Sequence, residues 1–406
     1  MHYHLNFREV TYSLSEALDF VGIDDTMHGK RVAYMCAEMG KKMGWEIEQI
    51  DEIITMGMLH DCGVSSTDVH SHLVNELDWN DSHLHCVRGA SLLQKVPLYQ
   101  SYSPVILYHH THWDAFDETV DPLVKEMANL IYTTDRIDAL RAQYGWESHA
   151  QREQIRTTVQ KYSGTMFKSD FIDLFIQLSY SDSFWYYMEN ESVHDYFDEW
   201  IKRGRSEETD FDMLKNLAMM YADIVDAKSP FTSEHTYGVA AVARYLAELH
   251  GIGKKRQELV ELSAYFHDLG KLRVSDAILQ KNAPLNASER LQMNRHGFDS
   301  SIILKKIKGF QEIAKIASMH HETLDGKGYP YHISAEEIPL EARILTISDI
   351  FQALVQNRPY RGGLSSDEAY AILHQMAQMH KIDTTILAHL EEHLEECYHK
   401  AMHPFA

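Results

Sequence analysis

Cationic residues are in short supply in this chain: 38 lysines and arginines stand against 60 aspartates and glutamates, a formal net charge of −22. Nucleic-acid polymers are held by clustered cations, so this balance excludes broad binding to such a polymer. A small anion is still admissible where a few cations or metal ions reverse the sign inside a pocket. Cysteine is sparse as well: Cys36, Cys62, Cys86 and Cys397 are the only four in 406 residues, too few for a disulfide framework, and they read as thiols. No apolar run approaches the roughly 20 residues that span a bilayer, so no membrane partner is expected. The opening MHYHLNFREV lacks the basic start and apolar stretch of a secretory leader, which predicts a cytoplasmic protein. Alternating, strand-like runs are scarce, and nine prolines and 20 glycines punctuate the chain without pervading it.

What the chain has is helical periodicity and histidine. Apolar residues recur at helical spacing in YGVAAVARYLAELHG and in the run through GKRVAYMCAEMGKKMG, so the expected fold class is all-α. Its length suits two domains, each with its own core. The 26 histidines are ordered. In the C-terminal half the series runs His235, the pair His267-Asp268, His296, the pair His320-His321, and Asp349. In the N-terminal half it runs His28, the pair His60-Asp61, His85, the pair His109-His110, and Asp135. The step from the first histidine to the His-Asp pair is identical in the two halves, and so is the step from the single histidine to the His-His pair. The remaining steps differ only slightly, as loop insertions would produce. Flanking text agrees: LHDCG beside FHDLG, DRIDAL beside DIFQAL, and Gly44 and Gly251 at one and the same distance after the first histidine. This is a duplicated helical domain. The charged segment 202–208 sets the boundary, giving domains 1–205 and 206–406. The aromatic stretches 184–187 and 196–200 carry no interleaved cations and read as core, not as a base-stacking platform.

A lone histidine is usually a surface or hydrogen-bonded core group. A five-part series in one order, written twice at nearly matched spacing, points instead to metal ligation. An adjacent His-Asp pair lets two side chains address one ion, or lets the carboxylate bridge two, and imidazole with carboxylate suits iron, manganese or zinc.

These residues resemble a known family. His267-Asp268 is the signature of the HD superfamily of metal-dependent phosphohydrolases, and HHETLDGKGYP, His320 to Pro330, is similar to the HHExxDGxGYP motif of its HD-GYP subgroup. HDLGK at His267 and RPYR at Arg358 support the match, which covers about half of the chain strongly. The resemblance implies tandem HD-type helical domains and a dinuclear site of two divalent ions, iron or manganese foremost. His235, His267, Asp268 and Asp349 would hold one ion, and Asp268 would bridge to a second held by His296, His320 and His321. Some members take a third metal through a glutamate four residues before the first histidine, where this chain has Phe231, which leaves two metals as the expectation and Glu234 as a candidate for an extra contact. Asp268 and Lys271 would serve catalysis, and Lys271, Arg358 and Arg361 would bind phosphate. The implied substrate is a cyclic dinucleotide, cyclic di-GMP or 3',3'-cyclic GMP-AMP, opened to a linear dinucleotide and in some members cleaved to mononucleotides. A cyclic-dinucleotide effector without turnover is the rival reading. Oligomeric state is open, a homodimer included.

The first copy keeps the ligand series but lacks the cations. Val64 stands where Lys271 does, Tyr144 and Glu147 stand opposite Arg358 and Arg361, and HHTHWDAF keeps two histidines and Asp114 without a GYP. A carboxylate near the phosphate position disfavours a polyanion. Three readings compete: a degenerate structural partner, a metal or redox sensor with a second dinuclear site at His28, His60, Asp61, His85, His109, His110 and Asp135, and an oxygenase-like enzyme. Cys62 and Cys86, each directly after a ligand position, fit the sensor reading, but a small core residue is the more common use of such a cysteine.

Overall fold

The computed structural model describes residues 3–21, 27–228, 234–357 and 362–405. Contacts divide the chain into two compact units, Asn6–Ser206 and Met1–Leu5 with Glu207–Ala406. Both are helical. Among the described residues the only named strands are Tyr3–Asn6 and Ser206–Thr209, which pair as a two-stranded sheet. That pairing explains why the first residues of the chain group with the second unit: Leu5 is buried, and the Tyr3 hydroxyl donates to Glu258 Oε2 at 3.1 Å. At Asn6 the chain leaves the strand, and the Asn6 side chain caps the helix Phe7–Asp19 by accepting from Arg8 N at 3.1 Å.

Each unit repeats one helical plan. In the first, helices His28–Met43, Ile47–Leu59, His83–Gln94, Ser103–Tyr108 and Pro122–Tyr144 carry the histidine series. In the second, His235–Leu249, Lys254–Phe266, His296–Leu304, Gln311–Ser318 and Leu340–Val355 follow in the same order. The paired glycines noted in the sequence end the leading helices. Gly44 and Gly251 sit at φ 78° and 77°, the left-handed conformation that a side chain resists. The residue after each closes the turn backward, Trp45 N to Gly40 O at 3.0 Å and Ile252 N to Ala247 O at 3.3 Å.

The leading helix and the long helix that carries the last aspartate form the middle of each unit. Along Pro122–Tyr144 the whole stretch from Met127 to Leu140 is buried, Asp135 and Asp138 included. In the second unit Ile344, Leu345, Ile347 and Phe351 are fully buried around Asp349 on Leu340–Val355. Each such apolar side chain contributes roughly 1.5–3 kcal/mol, which is what holds carboxylates this far from water.

Candidate metal centre

The seven second-unit residues singled out by spacing converge. His235 begins one helix, His267 and Asp268 follow the end of the next, His296 begins a third, His320 and His321 follow the end of a fourth, and Asp349 lies mid-helix. The helix ends do chemical work. The last carbonyls of a helix have no intrahelical partner, and imidazole Nδ1 donates to the carbonyl three residues back in His267 (Ala264 O, 2.6 Å), His296 (Met293 O, 2.6 Å) and His320 (Ala317 O, 2.7 Å). A carbonyl can only accept, so Nδ1 carries a proton and, whenever the ring is neutral, Nε2 keeps the lone pair that faces the centre. His235 does the same through a side chain, with Nδ1 donating to Gln352 Oε1 at 2.5 Å.

Asp268 stands between two groups of imidazoles. Its Oδ2 lies 3.3 Å from His267 Nε2 and 4.0 Å from His235 Nε2, and its Oδ1 lies 3.4 Å from His296 Nε2 and 3.8 Å from His320 Nε2. Asp349 closes both sides, with Oδ1 3.2 Å from His235 Nε2 and Oδ2 3.9 Å from His321 Nδ1. His235, His267 and Asp268 form one cluster of donor atoms within 4.8 Å of one another, and His296, His320 and His321 form another. His267 Nε2 and Asp268 Oδ1 are buried with no hydrogen-bond partner among the described residues. Buried polar atoms left unpaired are costly, and nitrogen and oxygen donors so arranged fit divalent ions.

The protonation of three of the rings agrees with that use. Burial pushes His296 down to about 4 and His321 to about 3, and burial with the neighbouring imidazoles holds His320 well below its usual range. These rings are neutral at neutral pH, the form that metal ligation requires. Burial alone would lower His267 too, but Asp268 and Asp349 outweigh it and raise it to about 9. Asp268, although buried, is held well below the carboxylate range by His267 and Lys271. The Lys271 ammonium is part-exposed and 2.5 Å from Asp268 Oδ2. Arg358 and Arg361 lie outside the described residues. Glu234 is exposed at the head of its helix.

The GYP segment packs on the histidine cluster. The Tyr329 ring lies 4.7 Å from that of His321, and its amide donates to the His321 carbonyl at 3.1 Å. Glu322 is buried and accepts from Tyr331 N at 2.6 Å. Asp325 accepts from Thr323 Oγ1 at 2.6 Å. Both carboxylates therefore shape the loop.

The first unit assembles the parallel set. His28 Nε2 lies 3.3 Å from Asp135 Oδ1, Asp61 is 3.4 Å from both His60 Nε2 and His85 Nε2, and His110 Nε2 is 3.5 Å from Asp135 Oδ2. His60 and His109 again donate from Nδ1 to the carbonyl three residues back, at 2.8 and 2.6 Å. Val64 is buried at the Lys271 position, Tyr144 ends its helix, and Glu147 accepts from the Trp146 amide. Sequence reasoning missed the residues one turn beyond the last aspartate. Gln352 orients His235 and Asp138 orients His28, at 2.8 Å from its Nδ1. Their place three residues after Asp349 and Asp135 was the available signal. Also missed was Arg136, whose guanidinium grips both oxygens of Asp135, at 2.8 and 2.9 Å.

Models of the HD domain match twice, at residues 27–142 and 219–386. Over 98% of its length the chain is 33% identical to 3'3'-cGAMP-specific phosphodiesterase 1 of Vibrio cholerae, covering 94% of that protein. The chain belongs to the HD-GYP family of cyclic-dinucleotide phosphodiesterases. A second relative, the cyclic di-GMP phosphodiesterase response regulator RpfG of Xanthomonas campestris, is 34% identical over 41% of this chain and 44% of its own. The crystal structure of a V. cholerae cyclic GMP-AMP specific phosphodiesterase, V-cGAP3, superposes with a TM-score of 0.65 at 22% identity, covering 97% of this chain and 98% of that one, and shares the fold. This HD-GYP chain is thus a tandem of two HD-type helical domains, as its histidine repeat predicts. Among the described residues no helix is long and apolar enough to cross a membrane.

Proposed function

We propose that the second unit hydrolyses a 3',3'-cyclic dinucleotide, cyclic GMP-AMP or cyclic di-GMP, to the linear dinucleotide, and that the first unit does not share in that turnover. The observation that carries the reading is Asp268, whose two oxygens face separate imidazole clusters within a chain similar along nearly its whole length to a 3'3'-cGAMP-specific enzyme. His235, His267, Asp268 and Asp349 would hold one divalent ion, and Asp268, His296, His320 and His321 a second, with iron or manganese the ions that suit this donor set. Bound there, two such ions supply an acidified water and neutralise phosphoryl charge.

The chain's own residues supply position and sign. Gln352 and the helix-end carbonyls fix the imidazole tautomers, and Tyr329 packs against His321. Lys271, part-exposed beside Asp268, is placed to meet an incoming phosphate once a metal competes for the carboxylate. Arg358 and Arg361 are assigned the same role on their sequence position. Val64 at the first unit's equivalent of Lys271 removes that charge, which supports a structural or regulatory role there.

The test is incubation of metal-loaded protein with cyclic GMP-AMP, cyclic di-GMP and cyclic di-AMP, followed by chromatography. Asp268→Ala is expected to abolish product and Asp61→Ala to leave it. Binding without product from any of the three would favour the effector reading.

A further inference from the structure

Several side chains differ between the two centres, and two of the differences, one donor and one cation, bear on what the first-unit site can hold. On one side, Cys86 follows His85 and is fully buried; its thiol donates to the Ser82 carbonyl at 3.4 Å, and its Sγ lies 3.9 Å from His85 Nε2. His85 Nε2 lies 3.1 Å from His109 Nε2 and 3.4 Å from Asp61 Oδ1. Donor atoms of His85, Cys86 and His109 all fall within 4.8 Å of one another, as do those of His28, His60 and Asp61 on the side that Asp135 faces. An ion with bonds of about 2.0–2.3 Å to nitrogen, oxygen and sulfur in a tetrahedron separates its ligands by roughly 3.3–3.7 Å, close to these spacings. Asp61 Oδ1, 3.4 Å from His85 Nε2, is buried without a hydrogen-bond partner among the described residues, as are His60 Nε2 and His110 Nε2. The second unit has no counterpart to the thiol. Gly297 follows His296, and a Cβ there would meet the Ser318 carbonyl at 2.8 Å.

On the other side, Asp135 is already neutralised. Arg136, fully buried, bonds both of its oxygens and is itself anchored on the Leu73 and Glu76 carbonyls at 2.7 and 2.9 Å. Imidazoles face both carboxylates, His28 and His110 on Asp135 and His235 and His267 on Asp349, but Ile350 follows Asp349 and brings no guanidinium to it. A guanidinium held in that place repels a second dication and takes the carboxylate that would bind it.

We propose that the first unit is a one-ion site with a thiolate ligand, in which His85, His109, Asp61 and Cys86 hold a single zinc-class ion and Arg136 stands in for the other. Binding converts the Cys86 thiol to thiolate and releases its proton to solvent. A thiolate selects softer ions than the all-nitrogen-and-oxygen centre of the second unit does, so one chain sorts two kinds of metal between its halves.

Cobalt(II) titration of the full chain tests this without reference to turnover. A sulfur-to-cobalt charge-transfer band in the near ultraviolet is expected to saturate by about three equivalents at the intensity of one cobalt-thiolate bond per chain, to vanish in Cys86→Ser and to persist in Cys62→Ser. Elemental analysis of zinc-saturated wild type is expected to give about three ions per chain, and Cys86→Ser about two after dialysis. A saturated wild type with no thiolate band, a band that survives Cys86→Ser, or four ions per chain would overturn the proposal. If Cys86→Ser does not fold, the wild-type band and ion count still decide. Loss of cyclic-dinucleotide turnover with the band intact would instead count against the function proposed for the second unit.

Discussion

At the scale of single residues, the centre depends on atoms that never touch a metal. Gln352 is one: without its acceptor, His235 Nδ1 loses the bond that sets the tautomer. Gln352→Leu is therefore expected to weaken metal binding in the second unit by about 10–100-fold, read by competition with a chelator, with the first unit's ion unaffected. Gln352 was not legible in the sequence because an amide one turn beyond a ligand looks like any buried polar residue until the helix places it. Lys228 is another case. Its ammonium is buried, donates to the Leu272 carbonyl and lies 3.8 Å from Asp276. Burial outweighs Asp276 and lowers it to about 8. Below that pH both folded and unfolded chains carry the charge, and the cost of burying it is fully present. Between about 8 and the unfolded value near 10.4 the unfolded chain binds more protons, so stability rises with pH there. Urea midpoints across this range should show wild type gaining on Lys228→Met by up to about 1.4 kcal/mol per pH unit. A constant difference would show that Lys228 is not the source.

At the scale of elements, ligands are delivered by helix ends, and a glycine lets those ends meet. A Cβ on Gly270 would stand 2.0 Å from the His296 carbonyl, and one on Gly63 would stand 1.9 Å from that of His85. Each glycine follows its His-Asp pair, and Ser300 bridges the second-unit crossing by donating to His267 O at 3.0 Å and accepting from Gly270 N at 2.8 Å. Gly270→Ala must separate the turn from the helix His296–Leu304. It is expected to cost about 2–3 kcal/mol, seen as a lower calorimetric transition, and to reduce phosphodiesterase rate by displacing His296. Gly63→Ala should lower stability comparably and spare the rate. Much of this was legible in HDCG and HDLG, because the repeated motif marks the crossing. The partner of each glycine was not legible, since that depends on a helix that begins well downstream in the chain.

At the scale of the whole molecule, the repeat predicted two helical units, and their content follows it. What the sequence did not carry was the place of the first strand. Tyr3–Asn6 is short, polar in part and far from Ser206–Thr209, so nothing local signals the pairing. A fragment beginning at Glu207 lacks Leu5 and its burial, together with the strand that covers its edge. Such a fragment is expected to melt about 3–8 °C below the same fragment with Tyr3–Asn6 tethered to its start, measured by thermal denaturation. Equal transitions would make the strand dispensable. The strand also sets an order of events during synthesis. Its partner leaves the ribosome about 200 residues after it, roughly 10–40 s at ordinary elongation rates. The first unit lies wholly within that interval and completes itself first, while the opening residues wait, already made, for a sheet that does not yet exist.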